Sequence, residues 1–245
     1  MAEALDWLEP TARVTEDLQM VAAALGTAAL GRAGLGQDEA AAALLTELDT
    51  YPDVRATANY VTSLPEIVRT ALGIGDRELA ERLVAGVEPP NAYAEHALAS
   101  ANADLTEARG DLQSAADAYA DAANRWERFG VIAEQAFALL GQGRCLLSLS
   151  RPTEASPVLQ HAREIFDRLQ ATPALAETDA LFRGPPRPVR KAQSWSCAVV
   201  EATQFDGQMC RTPAVPGRGR LVQPPKDTQV APLRNMGIGC RDRRG

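Results

Sequence analysis

Three charged residues, Asp104, Glu107 and Arg144, are the candidates for recognition chemistry in this 245-residue sequence. The first two fall on a predicted helix over 91–108, and the third falls on one over 131–149. By helical phase, all three are expected to face one shared, concave surface. Carboxylates and a guanidinium placed there can bind the backbone or the charged side chains of a peptide. The alternative is that the three are solvated surface residues.

The residue patterns of an active site or a nucleotide site are missing from the sequence. A phosphate-binding loop needs GxxxxGK followed by Ser or Thr, but neither Lys191 nor Lys226 follows a glycine. The segment 31–36 is rich in glycine, yet it does not fit GxGxxG and follows a predicted helix rather than a strand. His96 and His161 lie on alanine-rich helices without a nucleophile motif. We therefore predict a protein that is not an enzyme and has no cofactor.

The charge of the chain is divided unevenly. Residues 1–182 hold 13 Arg and Lys against 28 Asp and Glu, a net charge of −15, which argues against nucleic-acid binding by this part. No run of about 18 apolar residues is present, so no membrane-spanning helix is expected. The N-terminus lacks the basic region of a signal peptide, and the four cysteines form no CxxC pair for zinc. These features predict a cytoplasmic chain with reduced thiols and no metal.

Residues 11–182 are predicted to form a series of helices separated by glycine, proline and capping residues. The predicted helices span 11–30, 38–48, 53–72, 76–87, 91–108, 111–129, 131–149, 153–169 and 174–182. Pro65 is expected to kink or split the third of them. Residues 1–10 are expected to form an N-terminal extension. The aromatic residues expected in the core are Tyr119, Trp126, Phe129, Phe137 and Phe166.

The predicted helices form pairs that repeat along the chain. The turns inside successive pairs fall at Gln37, Gly75, Gly110 and Ser150, which are 38, 35 and 40 residues apart. A repeat of two helices and roughly 34–45 residues is typical of an α-solenoid, because one pair cannot bury its own apolar stripe and its neighbours must stack on it. We therefore predict an all-α solenoid of about four αα-hairpins and a partial final helix. The alternative is an alanine-rich helical bundle with accidental spacing.

The segment 110–182 resembles tetratricopeptide-type repeats. The residues that carry this likeness are Leu139, Gly143, Leu146, Ala155, Leu159 and Ala162. The part from 138 to 182 also resembles the C-terminal end of bacterial multidomain cyclase-like signalling proteins with an ATPase module, and of ATP-binding LuxR-type transcriptional regulators. The resemblance implies a right-handed tetratricopeptide-like superhelix. Ser150 departs from the pattern because glycine is common there, and a turn with positive φ would be strained by serine. Residues 11–48 match only loosely.

Residues 183–245 differ in composition from the rest of the chain. They contain 8 Pro, 7 Gly, and 12 Arg and Lys against 4 Asp and Glu, a net charge of +8. Such a segment cannot bury enough apolar area to offset chain entropy, so we predict disorder. One interpretation is a basic arm for nucleic acid or acidic partners. The favoured one is a non-native end produced by an out-of-frame reading of GC-rich DNA, which the coding DNA beyond codon 182 would decide.

The sequence favours a protein–protein interaction scaffold as the function. From the resemblance, the chain would be the sensor or regulatory end of a signalling or transcription-regulating ATPase, without the catalytic and ATP-binding modules. A free-standing tetratricopeptide adaptor and an enzyme with an unrecognised helical active site are the alternatives. The expected partner is a protein or a peptide. Because the terminal pairs lack obvious polar caps, self-association is a further expectation.

Overall fold

The computed structural model describes residues 2–183, and every regular element in this range is helical. This confirms the all-α fold class for the described part of the chain. The helices are α1 Ala2–Val14, α2 Leu18–Gly34, α3 Asp38–Thr50, α4 Ala58–Gly73, α5 Arg77–Val84, α6 Ala92–Ala108, α7 Leu112–Phe129, α8 Ile132–Ser148, α9 Pro152–Arg168 and α10 Thr172–Phe182, with a 3₁₀ turn at Val54–Ala56. None of these helices is long and apolar enough to cross a membrane. The predicted disordered tail begins at residue 183. The part of it beyond Arg183 lies outside the described residues.

The N-terminal helices differ from the prediction. The sequence predicts one helix over 11–30, whereas α1 and α2 are separate helices divided at residues 15–17. The chain breaks here because Asp17 caps α2: its side chain accepts a hydrogen bond from the backbone N–H of Gln19. An acidic cap of this kind satisfies one of the free N–H groups at a helix start. The predicted single helix over 11–30 is therefore wrong.

The first helix is fixed to the second by an apolar stripe and ion pairs. Leu5 and Ala12 of α1 are buried, and Leu5 lies directly against Gly31 of α2, where a larger residue would not fit. On the polar side, Arg32 of α2 donates a hydrogen bond of 2.6 Å to Glu9 of α1. The segment expected as an N-terminal extension is therefore part of the packed helices.

The fourth helix runs without interruption through Pro65. A split at this proline, one of the two predicted outcomes, is therefore wrong. Proline removes one backbone hydrogen bond from a helix interior. Fully buried residues lie on both sides of it, among them Tyr60, Leu64 and Val68. Their burial stabilises the continuous helix, because tertiary packing supplies most of the stability of a helix in a folded protein.

Helices that follow one another along the chain pack against one another. The even-numbered helices also contact each other in order, since α2 packs on α4, α4 on α6, and α6 on α8. Each odd-numbered helix from α3 to α9 packs against the even-numbered helices before and after it. Two apolar clusters fill these contacts, one formed by α1 to α6 and the other by α6 to α10. The even-numbered helices α2 to α8 therefore form one layer of the described residues.

Four of the five aromatic residues expected in the core are buried. Tyr119, Trp126, Phe137 and Phe166 each expose less than a twentieth of their surface. Phe129 is different, because 46% of it is exposed at the end of α7. Its ring nevertheless packs edge-on against Trp126 at a centroid distance of 6.2 Å. The prediction is thus confirmed for four residues and wrong for Phe129.

The terminal helices of the described range carry exposed apolar side chains. Trp7 and Val14 lie on the outer side of α1, with 67% and 82% of their surface exposed. Phe182, the last residue of α10, is also exposed. Exposed apolar residues of this size favour contacts with other molecules when they cluster. Self-association through these ends stays a prediction.

Several helices end at a residue with a left-handed backbone. Gly110 ends the α6 segment with φ 87° and Gly130 ends α7 with φ 88°. At the equivalent ends of α8 and α9, Ser150 has φ 61° and Gln170 has φ 55°. Residues with a Cβ atom are strained in this region, whereas glycine is not. The strain that the sequence predicts at Ser150 is therefore confirmed.

Replacing Ser150 with glycine should stabilise the protein. We expect Ser150→Gly to raise the free energy of unfolding by about 1 kcal/mol, because glycine adopts a positive φ without a steric penalty. Chemical denaturation followed by circular dichroism measures this. The matched control is Ser148→Gly, two residues earlier but inside α8, which should destabilise the protein by roughly 0.5 kcal/mol. A loss of stability in Ser150→Gly would contradict the interpretation.

Candidate binding surface

The three predicted recognition residues meet between α6, α8 and α10. Arg144 of α8 donates from Nε to Oε1 of Glu107 on α6 at 2.6 Å, and from Nη2 to the other oxygen of the same carboxylate. Its Nη1 donates to Glu177 of α10 at 3.2 Å. Bidentate arginine–carboxylate pairs are among the strongest polar contacts in proteins. Arg144 therefore joins three even-numbered helices, a role that the sequence did not indicate.

Asp104 enters the same network through a tyrosine. The hydroxyl of Tyr119 on α7 lies 2.7 Å from Oδ1 of Asp104 and 2.7 Å from Oε2 of Glu107. One hydroxyl carries one proton and cannot donate to both carboxylates at once. When Asp104 is protonated, it can donate to Tyr119 while Tyr119 donates to Glu107, and burial raises the pKa of Asp104 to about 6. Only 6% of Asp104 is exposed, so it is not a solvated surface residue.

These residues define a polar network: Asp104, Glu107, Tyr119, Arg144 and Glu177. Helical phase predicts that the first two and Arg144 share one side, and the structure joins them through hydrogen bonds; their role in partner binding stays a prediction. Sequence reasoning missed Glu177, and it assigned Tyr119 to the core without a use for its hydroxyl. The side chains of Arg144 and Glu107 expose 15% and 17% of their surface. The network thus reaches the surface while its centre is shielded from water.

A second ion pair, missed by the sequence analysis, lies beside the polar network. Arg69 of α4 donates from both terminal nitrogens to Glu134 of α8, at 2.9 and 2.8 Å. Both side chains are buried, with 6% and 10% exposed. The guanidinium also lies over the ring of Phe137, 4.4 Å from its centroid, which adds a cation–π contact. The pair connects α4 with α8, two helices separated in the chain by α5, α6 and α7.

Burial changes the proton affinity of several carboxyl groups on this surface. Burial raises the pKa of Asp104 to about 6, against the opposing effect of Arg69. Burial and the nearby charge of Glu134 raise the pKa of Glu66 to about 7. Glu107 differs: burial would raise its pKa, but the charge and hydrogen bonds of Arg144 outweigh burial and lower it. A carboxyl group whose pKa differs between the folded and the unfolded chain makes stability depend on pH.

Part of the free energy of unfolding should therefore decrease as the pH rises toward neutrality. Folding favours the protonated forms of Glu66 and Asp104, whose pKa values rise from 4.5 to about 7 and from 3.8 to about 6. Their contribution is complete below the unfolded pKa values and is lost as the pH rises through the folded ones. We compare the free energy of unfolding of each variant with that of the parent protein. From acid pH to pH 7, we expect this difference to change in favour of Glu66→Gln and of Asp104→Asn by on the order of 2 kcal/mol each.

Denaturation at a series of pH values tests this expectation. Glu95→Gln is the matched control, because Glu95 is an exposed glutamate of α6. The control should follow the pH profile of the parent protein, whereas Glu66→Gln and Asp104→Asn should each flatten it between acid and neutral pH. An unchanged slope in both variants would contradict the burial effect.

Of the other residues considered for chemistry, Cys145 lies beside Glu107 and Arg144 of the polar network. Cys145 is buried, and burial raises the pKa of its thiol to about 12, so it is a poor nucleophile. His96 packs edge-on against Trp126 and Phe129 at centroid distances of 5.4 and 5.3 Å. The glycine-rich segment 31–36 closes α2. Within residues 2–183 there is no group of three or more His, Cys, Asp or Glu that could hold a metal ion.

An open cavity of about 870 Å³ lies near the starts of α3 and α5 and reaches Ala108 at the end of α6. Its charged lining includes Asp38 and Glu39 of α3 and Asp76 and Arg77 at the start of α5. The side chain of Asp76 caps α5 by accepting from the N–H of Leu79. Carboxylates at helix starts are stabilised by the helix dipole, so their presence is explained without a ligand.

Comparison with known proteins finds no matching family model and no matching curated protein. The resemblance of residues 138–182 to tetratricopeptide regions therefore stays a prediction. What defines the candidate site is its own chemistry: carboxylates, two arginines and aromatic rings on a surface shared by α4, α6, α8 and α10.

Proposed function

We propose that the described helices form a tetratricopeptide-like solenoid that binds a peptide or a protein partner along the even-numbered helices. The observation that carries the proposal is the arrangement of Glu107, Arg144 and Glu177, which places charged groups from α6, α8 and α10 side by side. The regular packing of even-numbered helices with odd-numbered ones beside them supports the same architecture. Partly exposed charged groups in fixed positions favour recognition by electrostatic complementarity.

The biological setting we propose is a scaffold role in signalling or transcriptional regulation, as the regulatory end of an ATPase-containing protein. This setting is supported by the resemblance of residues 138–182 alone. A free-standing adaptor is the alternative proposal. A gene that encodes an ATPase or cyclase-like module in continuity with this chain would favour the regulatory end, and its absence would favour the adaptor.

The binding function can be tested with a peptide selected against the full chain from a random library displayed on phage. Glu177 is suited to charge reversal, because it lies on the last described helix and makes one bond of 3.2 Å to Arg144. Reversal of Arg144 itself would place an uncompensated charge among carboxylates and unfold the site. We expect Glu177→Lys to weaken binding of the selected peptide at least about tenfold.

The matched control is Glu127→Lys, which reverses an exposed glutamate on α7, outside the even-numbered layer. It should bind the selected peptide as the parent protein does. Circular dichroism of both variants checks that the helices are retained. Equal weakening by the two substitutions, or failure to select any peptide, would contradict a binding surface on the even-numbered helices.

A further inference from the structure

The side of α1 opposite its contact with α2 carries a row of exposed residues. Glu3, Trp7, Pro10 and Val14 follow one another at intervals of four, three and four positions, and all four are exposed. This spacing places side chains on one side of a helix, because two turns contain about seven residues. The buried side of α1, which includes Leu5, packs on α2. We call the four exposed residues the outer row of α1.

The middle of the outer row is apolar. Trp7 exposes 67% of its surface and Val14 exposes 82%, more than any other large apolar residue of the described part of the chain. Pro10 lies between them in the row. A tryptophan alone buries roughly 150–250 Å² in a contact. Apolar residues at alternating intervals of three and four positions form the seam along which two helices pack side by side.

The two ends of the outer row carry opposite charges. Arg13 lies beside Val14, and 46% of its side chain is exposed. Its Nε and Nη2 donate to Glu47 of α3, which leaves Nη1 as a further donor. At the other end of the row, Glu3 is exposed, and it makes no ion pair within the described residues. The apolar middle therefore lies between a negative and a positive end.

A row of this kind is complementary to a reversed copy of itself. If two copies of α1 pack antiparallel about a two-fold axis at the middle of the row, Trp7 of each copy lies opposite Pro10 of the other. Glu3 of each copy then meets Arg13 of the other. A parallel pair would instead bring like charges together at both ends. Antiparallel helix dipoles also attract each other, and a two-fold contact uses the same surface of both copies.

We propose that the outer row of α1, with Arg13 at its edge, is the contact through which two copies of this chain form an antiparallel two-fold dimer. One helix face per copy provides less area than the roughly 1,200–2,000 Å² of a standard interface, so the dimer is weak and exchanges with the monomer. The contact lies on α1, outside the even-numbered layer. The inference therefore does not depend on the proposed peptide-binding function.

Sedimentation equilibrium of the full chain over a concentration series tests the proposal. We expect the average mass to rise from 26.2 kDa, the mass of one chain, toward that of two, with a dissociation constant on the order of tens of micromolar. A monomer at every concentration up to about 1 mM would overturn the proposal. So would a mass that continues to rise beyond two chains, because a two-fold contact closes at the dimer.

Two substitutions locate the contact on α1. Trp7→Ala should weaken the dimer at least about tenfold, because large aromatic residues dominate the energy of such contacts. Val14→Ser should weaken it about threefold, since less apolar area is lost. The matched control is Phe182→Ala, which removes an exposed aromatic residue from α10 and should leave the dimer unchanged. Circular dichroism checks that the helices are retained. Weakening by Phe182→Ala equal to that by Trp7→Ala would overturn the site.

A charge reversal tests the antiparallel orientation. Glu3→Arg should weaken the dimer about fivefold at low salt, because both end contacts change from attraction to repulsion, and high salt should reduce this difference. In a parallel pair the reversal would only replace one like pair by another. The matched control is Glu95→Arg, the same reversal at an exposed glutamate of α6, which should not weaken the dimer. An unchanged dimer in Glu3→Arg, or equal weakening by both reversals, would overturn the antiparallel contact.

Discussion

Gly143→Ala should destabilise the protein by about 3 kcal/mol, at the upper end of the usual cost of overpacking a core. A Cβ atom on Gly143 would lie 2.3 Å from Cδ2 and 2.4 Å from Cγ of Leu159. Leu159 is buried in the contact of α8 with α9. Because interiors are close-packed, one methyl group at this position forces the two helices apart. Urea denaturation followed by circular dichroism measures the loss.

Gly141→Ala is expected to have a similar effect on the other side of the same helix. Its Cβ atom would lie 2.4 Å from Cζ of Tyr119, the atom that carries the hydroxyl. The substitution would therefore displace Tyr119 from Asp104 and Glu107 as well as separate α7 from α8. Near-ultraviolet circular dichroism of the tyrosine and tryptophan residues should change together with stability.

Gly26→Ala is the matched control for both glycine substitutions. Gly26 also lies inside a helix, α2, but its Cβ atom would meet Cγ2 of Ile67 at 3.4 Å, an ordinary contact distance. Alanine is the better helix former by about 1 kcal/mol. The control should therefore be neutral or slightly stabilising. Equal losses of stability in Gly26→Ala and Gly143→Ala would show that crowding is not the cause.

The second large loss of stability is expected when one member of the buried ion pair of Arg69 and Glu134 is removed. We expect Arg69→Met to lower the free energy of unfolding by about 3–5 kcal/mol, because Glu134 would remain buried without its partner. Glu66 and Asp104 would also lose the positive charge that acts on them. The measurement is equilibrium denaturation at neutral pH, where this loss should be larger than at acid pH.

The double variant Arg69→Met with Glu134→Leu should recover much of the stability, since a buried ion pair can often be replaced by apolar residues without a large cost. Arg125→Met is the exposed control: Arg125 pairs with Asp121 at 2.6 Å, but their side chains expose 40% and 58% of their surface. Such a pair contributes less than about 1 kcal/mol. If Arg69→Met costs no more than Arg125→Met, the buried pair does not stabilise the fold.

Much of the helical pattern could be predicted from local signals. The caps Asp76, Asn91 and Asp111 each accept a backbone hydrogen bond at the start of a helix, and the sequence identifies all three. The N-terminal helix could not be found in the same way. Its apolar stripe is short, and its burial depends on contact with Gly31 of the next helix. The helix propensity of the segment alone does not predict that contact.

The sequence predicts members of the candidate site only where helical phase determines on which side of a helix a residue lies. Phase places Asp104, Glu107 and Arg144 on a common side, and the structure brings them together. The pair of Arg69 and Glu134 joins residues 65 positions apart in the chain. Its formation depends on how α4 and α8 are placed around α6, which no local pattern specifies.

The ion pair between α4 and α8 has a consequence for the cooperativity of unfolding. In a row of helix pairs with contacts only between neighbours, each unit can unfold from the end with a limited effect on the others. Arg69 and Glu134 connect α4 with α8, two helices that are not neighbours in the chain. Fraying from the C-terminal side that reached α8 would leave Arg69 buried and unpaired. The central helices are therefore coupled energetically beyond nearest neighbours, and partial unfolding should stop at α8 rather than pass gradually through it.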